Sequence, residues 1–215
     1  MPELIINGPE GRIEARYHRA ESLTAPIALV MHPHPKFGGT MNHKIVYHLF
    51  HTFARAGFSV LRFNFRGVGR SQGSFDNGTG ELADAAAALD WMQSFHPNPS
   101  KCWVTGFSFG AWLAMQLLMR RPEIDSFIAV APPANIYDFS FLAPCPSAGL
   151  MLHGASDNTV PPEEVSKLTD KLIAQRGLPI KFQTIAGANH FFEGKLDELI
   201  KASEEYIALK MNAEE

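Results

Sequence analysis

The chain has 215 residues, of which 46% are hydrophobic and 19% are charged. This balance excludes global disorder, and the length favours one domain over two because a domain typically runs to about 100–200 residues. Nineteen Lys and Arg against 22 Asp and Glu give a net charge of −3, which argues against nucleic acid as a partner. We therefore expect residues 1–215 to form a single domain.

The first predicted element is an antiparallel hairpin. Residues 4–6 and 13–17 are short segments that contain Ile and other strand formers. Between them lies Asn7-Gly8-Pro9-Glu10-Gly11, a turn-rich stretch of the kind that joins two hairpin strands. The chain is therefore expected to begin with two paired strands.

Six short apolar runs follow the hairpin and alternate with segments long enough to form helices. The runs lie at 27–31, 58–63, 102–105, 127–131, 148–153 and 180–185, and the helical segments lie at 43–56, 80–95, 109–120, 162–176 and 195–209. This alternation predicts an α/β fold with a mostly parallel central sheet and helices on both faces. Ligands of such sheets bind at the carboxyl ends of the strands, so the loops there are the candidate site.

The connection after the strand at 127–131 bears on access to that site. It runs from 132 to 147, which is too short for a separate cap of several helices. Its aromatic residues Tyr137, Phe139 and Phe141 are placed to roof a pocket. We therefore expect no large cap domain and a fairly open site.

The sequence Gly106-Phe107-Ser108-Phe109-Gly110 stands between a predicted strand and a predicted helix. In this context G-x-S-x-G forms a sharp turn that exposes the serine, and the flanking glycines leave room for neighbouring backbone. Ser108 is therefore the candidate nucleophile, and the N–H of Phe109, at the helix N-terminus, is a candidate oxyanion donor. The alternative is an ordinary glycine-flanked turn in which Ser108 only caps the helix.

A serine hydroxyl becomes reactive when an imidazole accepts its proton, and the imidazole needs a carboxylate that fixes its tautomer. Asp157 follows the strand at 148–153 and His190 follows the strand at 180–185, so both are expected at strand carboxyl ends. The chain order Ser108, Asp157, His190 is the order associated with the elbow motif. The sequence thus predicts a Ser-Asp-His triad.

Each partner of Ser108 has an alternative interpretation. Asp157 would otherwise cap the helix that begins near Pro161, and Asp138 would then be the reserve acid. His190 would otherwise be a partly buried structural histidine. His153, four positions before Asp157, is the local rival for the base, and we interpret it as a structural residue that orients the acid loop.

These motifs resemble those of the α/β-hydrolase superfamily, specifically its small, lid-poor serine hydrolases similar to dienelactone hydrolases and acyl esterases. The matching motifs are G-F-S-F-G at 106–110, H-G-A-S-D-N-T-V-P at 153–161, N-H-F at 189–191 and F-R-G-V-G-R-S at 65–71. The resemblance covers about residues 25–210. It implies the α/β-hydrolase fold and acyl transfer to water through a covalent intermediate on Ser108, with Asp157 and His190 in the matching roles.

Two positions depart from the family pattern. Asn64 stands where the loop after the fourth strand often has an acidic residue, and Ser108 stands where dienelactone hydrolases have a cysteine. The second departure argues against a lactonase.

The superfamily takes a second oxyanion N–H from the loop after the strand that corresponds to 27–31. Here that loop reads His32-Pro33-His34-Pro35-Lys36-Phe37-Gly38-Gly39. Its two prolines have no N–H, so the possible donors are His34, Lys36, Phe37, Gly38 and Gly39. The resemblance implies His34 as the donor by position, with Phe37 in reserve. The alternative is a rigid connector that makes no catalytic contact.

Histidines and glycines elsewhere suggest metal or nucleotide binding only weakly. The histidines nearest one another in sequence are His32, His34, His43, His48 and His51. They include no H-E-x-x-H arrangement, and Gly67-Val68-Gly69 lacks the third glycine of a dinucleotide fingerprint. Arg66 and Arg70 are expected to brace this loop, or one of them meets an anionic substrate group. We predict neither a metal nor a cofactor.

We expect a carboxylic-ester hydrolase for small or medium acyl groups, whose partner is a small-molecule ester or related acyl substrate. The predicted apolar walls of its pocket are Phe37, Phe107, Phe109, Tyr137, Phe139 and Phe191. A thioesterase, a peptidase or an acyltransferase with the same triad is an alternative. A hydrolase-like protein that binds without turnover is another.

The remaining features concern location and assembly. Two cysteines, Cys102 and Cys145, are too few for a disulfide framework and indicate a reducing cytoplasm. The start Met1-Pro2-Glu3-Leu4 lacks a basic leader, and no apolar run approaches the roughly 20 residues that span a bilayer, so we expect no membrane partner. Residues 195–215 are expected to form an amphipathic helix whose face weakly supports a homodimer.

Overall fold

The computed structural model describes residues 3–142, 144–175 and 179–212. Its strands are β1 (Glu3–Gly8), β2 (Gly11–His18), β3 (Ile27–Met31), β4 (Ser59–Phe63), β5 (Cys102–Phe107), β6 (Ser126–Val130), β7 (Ala148–Gly154) and β8 (Ile180–Ile185). Its helices are α1 (Lys44–Arg55), α2 (Thr79–Phe95), α3 (Phe109–Leu118), α4 (Pro162–Ala174) and α5 (Leu196–Asn212). The strands form one sheet in the order β1-β2-β4-β3-β5-β6-β7-β8.

The predicted N-terminal hairpin is formed by β1 and β2, which pair antiparallel with Gly8 opposite Gly11 beside the turn. Gly11 has a φ of 108°, a conformation that favours glycine because it has no Cβ. β2 then pairs antiparallel with β4, and the pairs from β4 through β3 to β8 are parallel. The prediction of a mostly parallel sheet with an antiparallel N-terminal hairpin is confirmed.

The parallel strands are covered on both faces, which explains their continuous apolar runs. All five residues of β3 are buried. Successive side chains of a strand point to opposite faces, so Leu29 and Val30 belong to different core layers. One layer is completed by residues of α2, α3 and α4, and the other by residues of α1 and α5. The prediction of helices on both faces is confirmed.

The connection between β6 and β7 contains a 3₁₀ turn at Ser140–Leu142 and, within the described residues, no other helix. The prediction of a fold without a large cap is therefore confirmed. The predicted helix end at 176, the end of the tail at 213–215 and the start at 1–2 lie outside the described residues, as does position 143 in this connection. Among the residues described, no helix is both long enough and apolar enough to cross a membrane.

The predicted amphipathic helix at the end of the chain is α5, and its apolar face packs inside the molecule. Leu199 and Ile207 are buried in the layer that α1 completes. At the surface between the two helices, Arg55 of α1 and Glu204 of α5 form an ion pair at 2.9 Å. A homodimer stays a prediction, although this face no longer motivates it.

Candidate active site

Ser108 stands on the sharp turn between β5 and α3, with φ 54° and ψ −117°. A non-glycine residue with positive φ is strained, and the surrounding contacts hold it in place. Its N–H donates to the Val130 carbonyl at 2.9 Å. A Cβ on Gly106 would lie 2.4 Å from the Gly110 backbone, and a Cβ on Gly110 would lie 2.4 Å from the Met31 carbonyl oxygen. Both glycines are therefore required for this turn, as the motif predicts.

The structure brings the three predicted triad side chains together in one hydrogen-bonded chain. Nε2 of His190 lies 3.2 Å from Oγ of Ser108, and Nδ1 of His190 lies 2.7 Å from Oδ2 of Asp157. The other carboxylate oxygen, Oδ1, accepts the N–H groups of Thr159 and Val160, each at 2.8 Å. Asp157 is thus fixed by its own loop, and it holds the imidazole next to the hydroxyl.

The electrostatics of Asp157 favour its ionised form. Burial by itself would raise the pKa of this carboxyl, but hydrogen bonds from His190 and the Val160 N–H, with the nearby His190 and His153, hold it below its usual value. An ionised Asp157 accepts a hydrogen bond from the protonated Nδ1 of His190, which leaves Nε2 unprotonated as the acceptor for the Ser108 hydroxyl. This is the tautomer that a general base requires.

The two rivals occupy other positions. His153 is fully buried, with Nε2 2.8 Å from the Val160 carbonyl and 3.4 Å from Oδ2 of Asp157. It therefore contacts the loop that contains Asp157, and among the described residues it forms no hydrogen bond with Ser108. Asp138 is exposed and accepts hydrogen bonds from the N–H and hydroxyl of Ser140. It makes no hydrogen bond to His190.

The two predicted oxyanion donors, Phe109 and His34, both belong to residues that line the cavity over Ser108. The N–H of Phe109 belongs to the first turn of α3, where N–H groups have no helical acceptor. In the loop after β3, the N–H groups of Lys36, Phe37 and Gly39 all donate to His34, the first to its ring and the other two to its carbonyl. The reserve donor Phe37 is thus already paired, whereas His34 N–H makes no hydrogen bond within the described residues.

A cavity of about 370 Å³ opens over Ser108. Its lining is largely aromatic, and comprises Pro33, His34, Phe37, His43, Phe107, Ser108, Phe109, Pro133, Ile136, Tyr137, Thr159, His190 and Phe191. Of the predicted walls, Phe37, Phe107, Phe109, Tyr137 and Phe191 are present. Sequence reasoning did not assign the remaining apolar residues or His43, because their positions depend on how the β3–α1 and β6–β7 connections meet over Ser108.

The prediction that Phe139 lines this cavity is not supported by its position. Phe139 lies on the far side of Tyr137, where it lines a separate cavity of about 340 Å³ beside α4. Its side chain is buried and its ring stacks on Phe141 with centroids 6.0 Å apart. The indole of Trp112 stacks on Tyr137 and donates to the Asp138 carbonyl, which fixes the chain between the two cavities.

The remaining polar residues that the sequence singled out are engaged with the protein. Arg66 is buried and pairs with both carboxylate oxygens of Asp84, and Arg70 pairs at the surface with Glu3. Both brace their loop, and neither lines the cavity over Ser108. The side-chain amide of Asn64 donates to Glu14 at 2.8 Å and its carbonyl accepts the Met41 N–H at 2.8 Å.

The clustered histidines have separate structural roles. His32 is buried, with Nδ1 2.7 Å from the Pro33 carbonyl, and its Nε2 accepts the Phe65 N–H at 3.1 Å. Burial lowers the pKa of His32 to about 3. A ring nitrogen of His34 accepts the Lys36 N–H at a 3₁₀ turn, Pro35–Phe37. A ring nitrogen of His43 accepts the Ile45 N–H at the start of α1. Over the described part of the chain, no three His, Cys, Asp or Glu side chains are arranged to hold a metal ion.

The chain is similar to a known family and to several known proteins. A model of the X-Pro dipeptidyl-peptidase (S15) family matches residues 12–176. A protein from Rickettsia prowazekii (strain Madrid E) is 53% identical over 211 residues, which are 96% of this chain and 89% of that protein. A solved α/β hydrolase of unknown function from Agrobacterium tumefaciens has a TM-score of 0.96 at 58% identity, with 99% of this chain and 98% of that chain covered.

A further solved structure bears on the missing cap. An α/β serine hydrolase without lid from Xanthomonas campestris has a TM-score of 0.86 at 32% identity, with 95% of this chain and 92% of that chain covered. The resemblance predicted from the motifs is confirmed. The chain belongs to the X-Pro dipeptidyl-peptidase (S15) family and is an α/β serine hydrolase of the lid-poor type.

Proposed function

We propose that the protein hydrolyses carboxylic esters through an acyl-enzyme on Ser108. The observation that carries this proposal is the hydrogen-bonded chain from Ser108 through His190 to Asp157, with distances of 3.2 and 2.7 Å. His190 takes the hydroxyl proton on Nε2 while Oγ of Ser108 attacks the ester carbonyl carbon. Asp157 stabilises the imidazolium that forms.

The tetrahedral oxyanion accepts hydrogen bonds from the backbone N–H groups of Phe109 and His34. As the intermediate collapses, the bond to the alcohol oxygen breaks and the alcohol leaves with the proton from Nε2 of His190. Water then attacks the acyl carbon and gives its proton to His190. The acid leaves, and Oγ of Ser108 recovers its proton.

The cavity supports small or medium acyl groups. Its volume is about 370 Å³, and most of its lining is aromatic or apolar. The described part of the short connection between β6 and β7, residues 131–142 and 144–147, adds no cap that would extend the cavity for a long chain. Burial of apolar surface therefore supplies most of the expected binding energy.

The family description raises a second candidate, removal of a dipeptide from a peptide N-terminus. The terminal ammonium of such a substrate calls for a carboxylate near the site. The described lining of the cavity contains no Asp or Glu. This charge pattern favours a neutral ester over a peptide with a free amino terminus.

An active-site labelling experiment tests the proposal. We expect a fluorophosphonate probe to label wild type and a Ser140→Ala control but not Ser108→Ala, since Ser140 is exposed in the connection between β6 and β7 and does not line the cavity over Ser108. Wild type should then hydrolyse short p-nitrophenyl esters faster than long ones and faster than an X-Pro p-nitroanilide. Equal labelling of wild type and Ser108→Ala would refute the nucleophile, and preferential cleavage of the anilide would establish the peptidase.

A further inference from the structure

One polar side chain in the cavity wall has no part in the mechanism above. His43 stands at the start of α1, where its Nδ1 accepts the N–H of Ile45 at 3.3 Å. A ring nitrogen that accepts a hydrogen bond carries no proton, so in the neutral imidazole the proton lies on Nε2. The helix cap therefore fixes the tautomer of His43.

The ring of His43 lies close to the reacting groups. It stacks on Phe107 with centroids 5.0 Å apart and an interplanar angle of 24°. The ring of His190 packs on the same Phe107, with centroids 5.1 Å apart, and the ring centroids of Phe191 and His43 lie 6.3 Å apart. His43 and His190 thus flank one aromatic side chain in the wall of the cavity that contains Ser108.

The second nitrogen of His43 is available to a ligand. Over residues 3–142, 144–175 and 179–212, Nε2 of His43 forms no hydrogen bond. Burial, the nearby Lys44 and His190 lower the pKa of His43 to about 4, so the ring is neutral at pH 7. An uncharged N–H donor in a mainly aromatic wall favours an uncharged oxygen as its acceptor.

We propose that His43 is a specificity-determining residue whose Nε2–H donates to a substrate oxygen outside the ester group that is cleaved. The preferred substrates are then esters that carry an ether, hydroxyl or carbonyl oxygen in the acyl or the alcohol part. This inference rests on the proposed esterase function, and it adds a substrate class to it. A purely aliphatic ester leaves the donor without its partner, and such a loss discriminates between substrates of equal size.

Matched ester pairs test the proposal, because each pair differs only by an oxygen in place of a methylene. On the acyl side the pair is p-nitrophenyl methoxyacetate and p-nitrophenyl butyrate. On the alcohol side it is 2-methoxyethyl butyrate and butyl butyrate. The readout is the ratio of the two kcat/KM values on one enzyme preparation, so intrinsic ester reactivity and the fraction of active enzyme cancel between variants.

Two substitutions at His43 separate the donor from its other contacts. His43→Asn retains a side chain that caps α1 but removes the Nε2–H, since Asn is a preferred N-cap residue. His43→Phe keeps a ring against Phe107 and removes both nitrogens. His48→Asn, on the same helix but outside the cavity lining, is the matched control.

We expect the oxygen-to-methylene ratio to fall about tenfold in both His43 variants for at least one pair, because one hydrogen bond is worth about 1.4 kcal/mol. The control should keep the wild-type ratio. Ester hydrolysis with the same ratio in wild type and both His43 variants would overturn the role of His43 and leave the esterase proposal intact. Failure of wild type to hydrolyse any of the four esters would overturn both.

Discussion

The loop after β4 and the sharp turn between β5 and α3 both follow strands of the same sheet, but their polar groups are hydrogen-bonded to different extents. In the loop after β4, the Arg66 backbone N–H and guanidinium make three hydrogen bonds to Asp84 at 2.8–3.0 Å. In the same loop, the Ser71 hydroxyl donates to the Asn64 carbonyl and accepts the Glu14 N–H.

The turn between β5 and α3 keeps hydrogen-bonding groups without a partner among the described residues. The Ser108 hydroxyl has one hydrogen bond, to His190 at 3.2 Å, and the Phe109 N–H has none within the described residues. Ser108 has a φ of 54°, and its backbone N–H donates to the Val130 carbonyl of the neighbouring strand β6. Chemistry is therefore expected where hydrogen-bonding groups remain open, whereas polar groups paired within the protein, as in the loop after β4, stabilise the fold.

The greatest loss of activity is expected from substitution of Asp157, the acid that holds His190 next to Ser108. Asp157→Asn should lower kcat for a short p-nitrophenyl ester by about 10⁴, because an amide does not hold His190 in the tautomer that accepts the serine proton. Asp138→Asn, the other acid that the sequence offered, should keep wild-type kcat. Steady-state kinetics on both variants check this, and a comparable loss in Asp138→Asn would reverse the assignment of the acid.

Substitutions that disrupt the hydrogen bonds of the loop after β4 should lower the stability of the fold and leave the chemistry at Ser108 unchanged. Asp84→Asn leaves the buried Arg66 without its counter-charge and should lower the free energy of unfolding by about 3–5 kcal/mol. Glu10→Gln, which removes an exposed carboxylate 3.9 Å from Arg66, should cost less than about 1 kcal/mol. Urea unfolding measures both, with probe labelling per folded molecule unchanged. Wild-type stability of Asp84→Asn would show that the pair does not stabilise the fold.

A smaller effect on stability is expected at His32, whose Nε2 accepts the Phe65 N–H and so links the loop after β3 to the loop after β4. His32 is neutral in the folded protein because burial lowers its pKa from 6.5 to about 3. The His32 side chain of the unfolded chain takes up a proton below about pH 6.5. The contribution of neutral His32 to the free energy of unfolding is therefore fully present above that pH and is lost as the pH falls toward about 3. At pH 5 the loss should be about 2 kcal/mol relative to pH 7.

The matched variant for this effect is His32→Gln, whose side chain stays uncharged. It should be less stable than wild type at pH 7 but should lose about 2 kcal/mol less between pH 7 and pH 5. Urea unfolding at the two pH values gives the comparison, with His48→Asn as a surface control that keeps the wild-type pH dependence. Parallel curves for wild type and His32→Gln would contradict the buried neutral state.

The fold and the spacing of Ser108, Asp157 and His190 were accessible from sequence because local patterns encode both. Buried parallel strands leave apolar runs, and residues just after them lie at one edge of the sheet. Gly106 and Gly110 mark the turn for a reason that is visible in the structure, since a Cβ on either would meet backbone.

What the sequence did not reveal depends on contacts between distant segments. Phe139 was predicted to line the cavity because it is one of the aromatic residues of the 132–147 connection, but in the structure Phe139 lines the separate cavity beside α4. The pairing of Asn64 with Glu14 joins residues 50 positions apart, and no local pattern announces it. The place of His43 in the wall likewise follows from the stacking of two loops on Phe107.

The uncapped mouth of the cavity has a consequence for the fate of the acyl group. Phe37 is 86% exposed and Ile136 59% exposed at its edge, and the described connection between β6 and β7 adds no helix above them beyond one 3₁₀ turn. An acyl group on Ser108 would therefore meet the surrounding medium directly. Methanol added to the solution would compete with water for that group, so the proportion of methyl ester to acid formed would follow the composition of the solvent.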